Sequence, residues 1–179
     1  IIAEIANKAG ALVPWLRPED MAIDSASSVD VSLHALDWYQ AEVGKVDGLI
    51  LLQPTSPFRT KETIKKSIEL FFNNKMKSVI GFSPVNDHPL WCYKLEKDTM
   101  KPFIVDNQEH LQSQDLPPVY ITNGSIYLIT PDELRKNKSF YKGDIVPYII
   151  DNPMESLDID TPWDWEVAEM ICKKKYLND

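Results

Sequence analysis

The chain has 179 residues, 44% of them hydrophobic and 26% charged, which is enough to bury a core of its own. Its formal net charge of −8 argues against a general nucleic-acid-binding protein, since such a protein needs a basic face. There is no signal peptide and no apolar run near the ~20 residues that span a bilayer, so we expect a cytoplasmic protein without a membrane anchor.

The chain opens with the pattern of an amphipathic helix rather than with a strand. Gly10 is a suitable C-cap, and the apolar positions that share one helical face are Ile2, Ile5, Ala6 and Ala9. Because an α/β domain usually opens with a strand, and the first residue is Ile1 rather than Met, we expect that an N-terminal part is absent. Residues 11–16 are then predicted to form a short strand.

After this start, helical and extended patterns alternate. Ser27 and Thr60 are the predicted N-caps of two helices. The apolar run Leu49–Leu52, between these helices, is typical of a strand buried on both faces, and residues 77–82 form the next predicted strand. Alternation of this kind predicts an α/β fold with parallel strands joined by helical crossovers.

The second half of the chain breaks this rhythm. Residues 92–118 are mostly polar and irregular, and we interpret them as an excursion from the core, such as a hairpin arm at an interface. Two short predicted strands then flank Asn123-Gly124, which is either a hairpin turn or a close backbone approach to a ligand that only glycine allows. Pro147 indicates an edge position for a further strand, and the last two helices are predicted to start at Thr130 and Thr161.

The turn after the strand Leu49–Leu52 is rich in polar side chains. In an open α/β sheet, ligands bind just beyond the carboxyl ends of the strands. The side chains at that place are Gln53, Thr55, Ser56 and Arg59, and two prolines between them fix φ and stiffen the turn. The segment is therefore either a ligand-binding turn or an ordinary strand-to-helix connection.

A pair of acidic residues precedes the last predicted helix. Asp158 and Asp160 are two residues apart, so in an extended segment their carboxylates lie on the same side. Two such carboxylates form a site for a hard cation of the Mg²⁺ kind, completed by waters and substrate phosphates. The alternative is that one of them faces solvent or serves the turn. Arg17 is a separate candidate, suited to bind a base, a carboxylate or a phosphate.

Several stretches, in this order, resemble one known family. Leu51–Arg59 differs from that family's "LLQPTSPLR" signature only at Phe58, and Ser156–Thr161 is similar to its "SIDIDT" motif. The other matching stretches are residues 17–20, 24–28, 114–120 and 123–127. Through them the chain resembles the acylneuraminate cytidylyltransferases, also called CMP-sialic acid synthetases, over essentially all of its length.

The resemblance implies a single domain over residues 1–179 with a Rossmann-like nucleotide-diphospho-sugar transferase fold, in which a mostly parallel sheet has helices on both faces. It implies CTP and a nine-carbon sugar acid as substrates, and a CMP-sugar and pyrophosphate as products. The excursion at about residues 92–118 would be a dimerisation arm, so a homodimer is expected.

The resemblance also implies roles for particular residues. Asp158 and Asp160 would be the catalytic pair and would hold Mg²⁺. The nucleotide would be bound by Arg17, Ser25 and Ser27. The contacts to the sugar acid would come from Gln53, Thr55, Ser56, Asn123, Phe140 and Tyr141, although the two aromatic residues also suit a core.

The chain departs from the family pattern in two places. The family's opening strand and its "R-x-G-S-K" phosphate loop are absent, so we expect this chain to be inactive by itself, as a fragment or as a non-catalytic binding or dimerisation module. Arginines that many relatives carry are replaced here by Ile121 and by Gln112-Ser113. The sugar acid therefore stays open between a sialic, legionaminic or pseudaminic type and an eight-carbon acid.

Overall fold

A computed structural model describes residues 1–23, 25–105 and 112–176. The described helices are α1 (Ile2–Lys8), α2 (Ser28–Glu42), α3 (Lys61–Asn73), α4 (Pro131–Asn137) and α5 (Pro162–Tyr176). The described strands are β1 (Leu49–Leu51), β2 (Ser78–Pro84), β3 (Tyr93–Glu96), β4 (Thr99–Pro102), β5 (Tyr120–Ile129) and β6 (Ile145–Ile149). None of these helices is long and apolar enough to cross a membrane.

The chain divides into two compact units. One comprises Ile1–Leu49 with Ile129–Gly143, and the other comprises Ile50–Leu128 with Asp144–Asp179. The first unit holds α1, α2 and α4, whereas the second holds α3, α5 and nearly all of the strand residues.

Side-chain caps fix the starts of four helices. The hydroxyls of Ser27, Thr60, Thr130 and Thr161 each accept a hydrogen bond from a backbone N–H two or three residues later, at 3.1–3.3 Å. Each bond satisfies one of the N–H groups that a helix leaves free in its first turn. The four helix starts predicted from these residues are confirmed.

In the first unit, α2 and α4 are joined through Arg135, whose guanidinium donates to the carboxylate of Asp37 and to the side-chain oxygen of Gln40. Residues 11–16 have no regular structure, so the strand predicted there is wrong. The ring of Trp15 packs edge-on against His34 of α2, with centroids 4.9 Å apart. Trp15 therefore packs against a helix, while Leu12 and Leu16 of the same segment are 76% and 75% exposed.

The main sheet has the strand order β1-β5-β2-β6. β2 and β6 are parallel, whereas β5 runs antiparallel to β2. The α/β class is confirmed and is compatible with a Rossmann-like fold, and the sheet is mixed. β6, which contains Pro147, lies at an edge of this sheet, as predicted.

β5 is one continuous strand, although two short strands were expected there. Ile80 of β2 pairs with Tyr127, and Phe82 pairs with Thr122, so Gly81 alone lies opposite residues 123–126. The Asn123-Gly124 dipeptide is therefore part of a β-bulge, and its interpretation as a hairpin turn is wrong. A bulge can bring backbone unusually close to a neighbouring segment. The alternative interpretation of this glycine, a close backbone approach to a ligand, stays a prediction.

The core of the second unit lies where α3 packs against β2 and β6. Phe71, Val79 and Leu128 form its centre and are at most 5% exposed. The partly buried side chains packed against them are Ile50, Leu70, Val146 and Tyr148. This core holds the sheet against the C-terminal end of α3, where Leu70 and Phe71 lie.

β3 and β4 form a separate two-stranded antiparallel hairpin. Tyr93 lies opposite Pro102 and Leu95 lies opposite Met100. The hairpin falls inside the predicted excursion at residues 92–118, of which residues 106–111 lie outside the described part of the chain.

Candidate functional site

The polar turn after β1 is held in place by hydrogen bonds to its own backbone and to β5. The N–H of Ser56 donates to the carbonyl of Gln53 at 3.3 Å, and the Ser56 side chain is fully buried. Arg59 donates through Nε to the carbonyl of Ser125 at 3.0 Å and through Nη2 to the carbonyl of Gln53. One guanidinium thus ties the turn to the bulged part of β5.

A buried polar network fixes the bulge itself. Asn123 donates from Nδ2 to the hydroxyl of Ser83 at 2.9 Å, and its Oδ1 accepts from the hydroxyl of Ser125 at 3.1 Å. Ser83 in turn donates to the carbonyl of Ile150 at 2.9 Å. A Cβ atom on Gly81 would lie 2.7 Å from Asn123 Oδ1, so the glycine makes room for the amide.

Three polar side chains converge on Gly124. A Cβ atom at this position would lie 3.0 Å from Ser56 Oγ, 3.0 Å from Asp158 Oδ2 and 3.2 Å from Gln53 Oε1. Gly124 also has a φ of 74°, which favours glycine over any residue with a side chain. The bulge therefore brings β5 against the polar turn and the first of the two predicted acidic residues.

The segment that carries Asp158 is fastened on both sides. Downstream, the N–H of Ile159 donates to the carbonyl of Thr55 at 2.9 Å. Upstream, the carboxylate of Glu155 accepts from the N–H of Thr60 at 3.2 Å and from the hydroxyl of Thr63. Asp158 itself has a buried Oδ1 atom without a hydrogen-bond partner.

Charges of opposite sign meet at this site. Burial lowers the pKa of the Arg59 guanidinium from its ordinary value, while the nearby negative charge of Asp158 opposes that shift. Since an arginine stays protonated in any case, it supplies a fixed positive charge beside the carboxylate. A positive charge therefore lies beside the Asp158 carboxylate, whose Oδ1 atom is buried.

Of the residues predicted from sequence, Gln53, Ser56 and Asp158 are brought together by the structure. Thr55 contributes its backbone carbonyl to the same place. Asp160 is exposed, and its backbone N–H donates to the carboxylate of Asp164 at 3.2 Å. Asn123 is 6% exposed, and its amide is engaged inside the protein.

The remaining predicted residues belong to the first unit. Arg17 and Ser25 are exposed, and the hydroxyl of Ser27 serves as the N-cap of α2. Phe140 is 5% exposed, whereas Tyr141 is 56% exposed.

Sequence reasoning missed two contributors to this site, Glu155 and the pair formed by Gly81 and Ser83. A glycine inside a predicted strand is a signal of a bulge or a close backbone approach, and it could have drawn attention to Gly81. Glu155 carries no such signal, because its partners Thr60 and Thr63 are more than 90 residues away.

Together, the mixed α/β sheet and the polar site beyond the carboxyl end of β1 define the class of α/β proteins that bind ligands at their strand ends. Comparison with known proteins narrows this class. The chain is 38% identical over 176 residues to the CMP-N,N'-diacetyllegionaminic acid synthase of Legionella pneumophila, covering 96% of this chain and 74% of that protein.

Other relatives carry names of the same kind. An N-acylneuraminate cytidylyltransferase of Streptococcus agalactiae is 30% identical, with 88% of this chain and 37% of that protein covered. A pseudaminic acid cytidylyltransferase of Campylobacter jejuni is 25% identical over 96% of this chain and 74% of its own length. No protein-family model matches the chain. The chain belongs to the acylneuraminate cytidylyltransferase family, which is a family of nucleotidyltransferases.

Proposed function

We propose that this chain provides the site at which CMP is transferred from CTP to a sugar acid of the sialic-acid type, with release of pyrophosphate. The main support is the convergence of Gln53, Ser56 and Asp158 on Gly124. In the reaction, the anomeric hydroxyl of the sugar attacks the α-phosphorus of CTP in line. The new bond joins the sugar oxygen to CMP, pyrophosphate leaves, and the hydroxyl proton is released.

The acidic residues suit a divalent cation. Asp158 Oδ1 is buried without a partner, and the absent side chain of Gly124 leaves room beside Asp158 Oδ2. Among the described residues, no group of three or more His, Cys, Asp and Glu side chains could hold a metal ion, so waters and substrate phosphates would complete the shell around Asp158 and Asp160. When bound, Mg²⁺ would neutralise charge on the α-phosphate and on the leaving pyrophosphate.

The other predicted residues receive two kinds of role. We propose that the amide of Gln53 contacts the sugar acid, since Arg59 fixes its backbone and leaves the side chain directed at Gly124. Asn123 would act as a support for the bulge instead of a direct ligand, because its amide is already bonded. Arg17, Ser25 and Ser27 remain the proposed nucleotide contacts, and Phe140 and Tyr141 the proposed border of the sugar pocket.

We propose a legionaminic-type acid as the first substrate to test. The relative named for that acid is 38% identical, compared with 30% and 25% for the relatives named for neuraminic and pseudaminic acids. The legionaminic and pseudaminic relatives each align with 96% of this chain, so their sequence identities can be compared directly.

We also propose a homodimer formed through the β3–β4 hairpin. A two-stranded hairpin alone is only marginally stable in water. Its apolar side chains Tyr93, Leu95 and Met100 are 57%, 68% and 62% exposed. Covering these side chains with a second copy would remove apolar area from water and stabilise the hairpin.

The test is a calorimetric titration with CTP, UTP and ATP, each with Mg²⁺, followed by an assay of pyrophosphate release with the three acids. In that assay we expect turnover only when a phosphate loop of the R-x-G-S-K type is joined to the chain. We expect binding of CTP alone, and for Asp158→Asn at least about tenfold weaker binding, since removing a charged ligand weakens a metal-dependent site. The matched control is Asp144→Asn, which removes an exposed carboxylate paired with Lys77. Indifference to all three nucleotides would overturn the proposed function in favour of a non-catalytic module.

A further inference from the structure

Glu155 has a buried carboxylate for which the proposed reaction has no direct use. The residue is 9% exposed. Its Oε2 accepts from the backbone N–H of Thr60 at 3.2 Å and from the hydroxyl of Thr63. Both donors belong to the N-terminal end of α3, where free N–H groups and the helix dipole favour a negative charge.

This contact lies three residues before Asp158. The segment is hydrogen-bonded at Glu155, to Thr60, and at Ile159, to the carbonyl of Thr55. Only three residues lie between these two anchored positions. So short a span leaves the backbone of Asp158 little freedom. The carboxylate is consequently held beside Gly124, with Oδ1 buried and unpartnered.

We propose that Glu155 is a positioning residue for Asp158, and that it aims the Asp158 carboxylate at the divalent cation by fastening the segment to the start of α3. The role rests on the proposed function, in which Asp158 binds that cation. A buried carboxylate is tolerated only while its hydrogen bonds are made. Among the described residues 152–158, Glu155 makes the long-range hydrogen bonds that hold the segment before Asp158. Loss of Glu155 would therefore release the segment on that side.

A purely structural role would look different. If Glu155 only stabilised α3, any weakening of that helix would have the same consequence for the site. Asn74 offers the matched control, because its Nδ2 donates to the carbonyl of Leu70 at 2.8 Å at the opposite end of α3. Asn74→Ala weakens the same helix without touching the Asp158 segment.

The experiment uses Mn²⁺ as the probe and measures its binding in the presence of CTP by electron paramagnetic resonance, with thermal unfolding recorded for each variant. For Glu155→Ala we expect about tenfold weaker Mn²⁺ binding, in the range found when a residue that orients a metal ligand is replaced. The isosteric Glu155→Gln keeps one acceptor oxygen and should recover part of that affinity. Asn74→Ala should lower the unfolding temperature and leave Mn²⁺ binding unchanged.

The outcomes separate the two proposals. Wild-type affinity in both Glu155 variants, or an equal loss in Asn74→Ala, would overturn the positioning role while the proposed function stands. If Glu155→Ala does not fold, Glu155→Gln alone decides, and unchanged Mn²⁺ affinity in it overturns the positioning role. Absence of CTP-dependent Mn²⁺ binding in the wild type, or its persistence in Asp158→Asn, would instead sink the proposed function.

Discussion

Around Gly124, polar side chains are held by buried hydrogen bonds, whereas the β3–β4 hairpin of the same compact unit leaves its apolar side chains in solvent. Ser56 and Ser125 are fully buried, while Leu95 is 68% exposed. The first region is fixed by contacts within the chain, so small changes there should disturb both stability and chemistry. The stability of the hairpin depends on a partner that covers its apolar side chains, so changes there should alter association more than folding.

The largest effect is expected from adding one methyl group at the site. Gly124→Ala would place a Cβ atom 3.0 Å from both Ser56 Oγ and Asp158 Oδ2, at a φ of 74°. We expect a loss of about 2–4 kcal/mol in the free energy of unfolding, from overpacking and strain, and no measurable CTP binding. Chemical denaturation and calorimetry would measure the two.

Gly10→Ala is the matched control for that variant. Gly10 has a φ of 85°, and a Cβ atom there would have nothing within 4 Å. It should therefore show the cost of the backbone conformation alone, about 1 kcal/mol. Equal destabilisation by the two substitutions would mean that the convergence on Gly124 is not tightly packed.

A smaller effect is expected on the opposite strand. Gly81→Ala would bring a Cβ atom to 2.7 Å from Asn123 Oδ1, which is buried and bonded to Ser125. We expect a cost of about 1–3 kcal/mol, as for other overpacked sites. In an Asn123→Ala background the same substitution should cost less, because the clashing oxygen is gone. A double-mutant cycle from denaturation curves measures this coupling, and strict additivity would contradict it.

The hairpin should respond in its association state. Leu95→Lys places a charge on an exposed apolar position opposite Met100. We expect the dimer to dissociate, by at least about tenfold in dimerisation constant, with a nearly unchanged unfolding temperature of the sheet. Light scattering and sedimentation would measure this. Thr99→Lys, at an exposed polar position of the same hairpin, is the control. A monomeric wild-type protein would contradict the proposed homodimer.

The smallest effect is expected from acid. Hydrogen bonds from Lys101 and then Lys94 lower the pKa of Glu96 below its ordinary 4.5. A depressed carboxyl pKa contributes stability that is present above the unfolded value and is lost as the pH falls through the folded value. Amide exchange of β3 and β4, compared with β2, should therefore show the hairpin loosening below about pH 4.5.

Two conditions should remove this acid response. Glu96→Gln has no carboxylate to titrate, and high salt screens an exposed ion pair. Because the Glu96 side chain is 42% exposed and its lysine partners are about half exposed, solvent screens these ion pairs, and the response should be slight even in the wild type. An equal response in Glu96→Gln would show that another group is responsible.

Local rules account for what could be predicted from the sequence. Thr60 and Thr130 were recognised as caps because a cap depends on residues close in the chain. The polar turn and the acidic segment could be placed at strand ends by the same reasoning. The β-bulge was not predicted, since Asn123-Gly124 also fits a hairpin turn and only the pairing with Ile80 and Phe82 decides.

The errors came from tertiary contacts. Residues 11–16 have the composition of a strand, yet Trp15 packs against a helix. The anchoring of Glu155 on α3 joins segments that are 92 and 95 residues apart, and no local pattern signals such a bond. The individual segments of the site can thus be predicted from sequence. The long-range hydrogen bonds that join these segments depend on the tertiary fold.

Pro147 in the outer strand β6 has a consequence for how copies of this protein behave at high concentration. A proline has no N–H to offer, so β6 presents one hydrogen-bond donor fewer to any additional strand. A sheet whose edge strand lacks a donor is a poor template for pairing with a strand of another molecule. The molecule should thereby resist edge-to-edge aggregation at the β6 edge of its sheet.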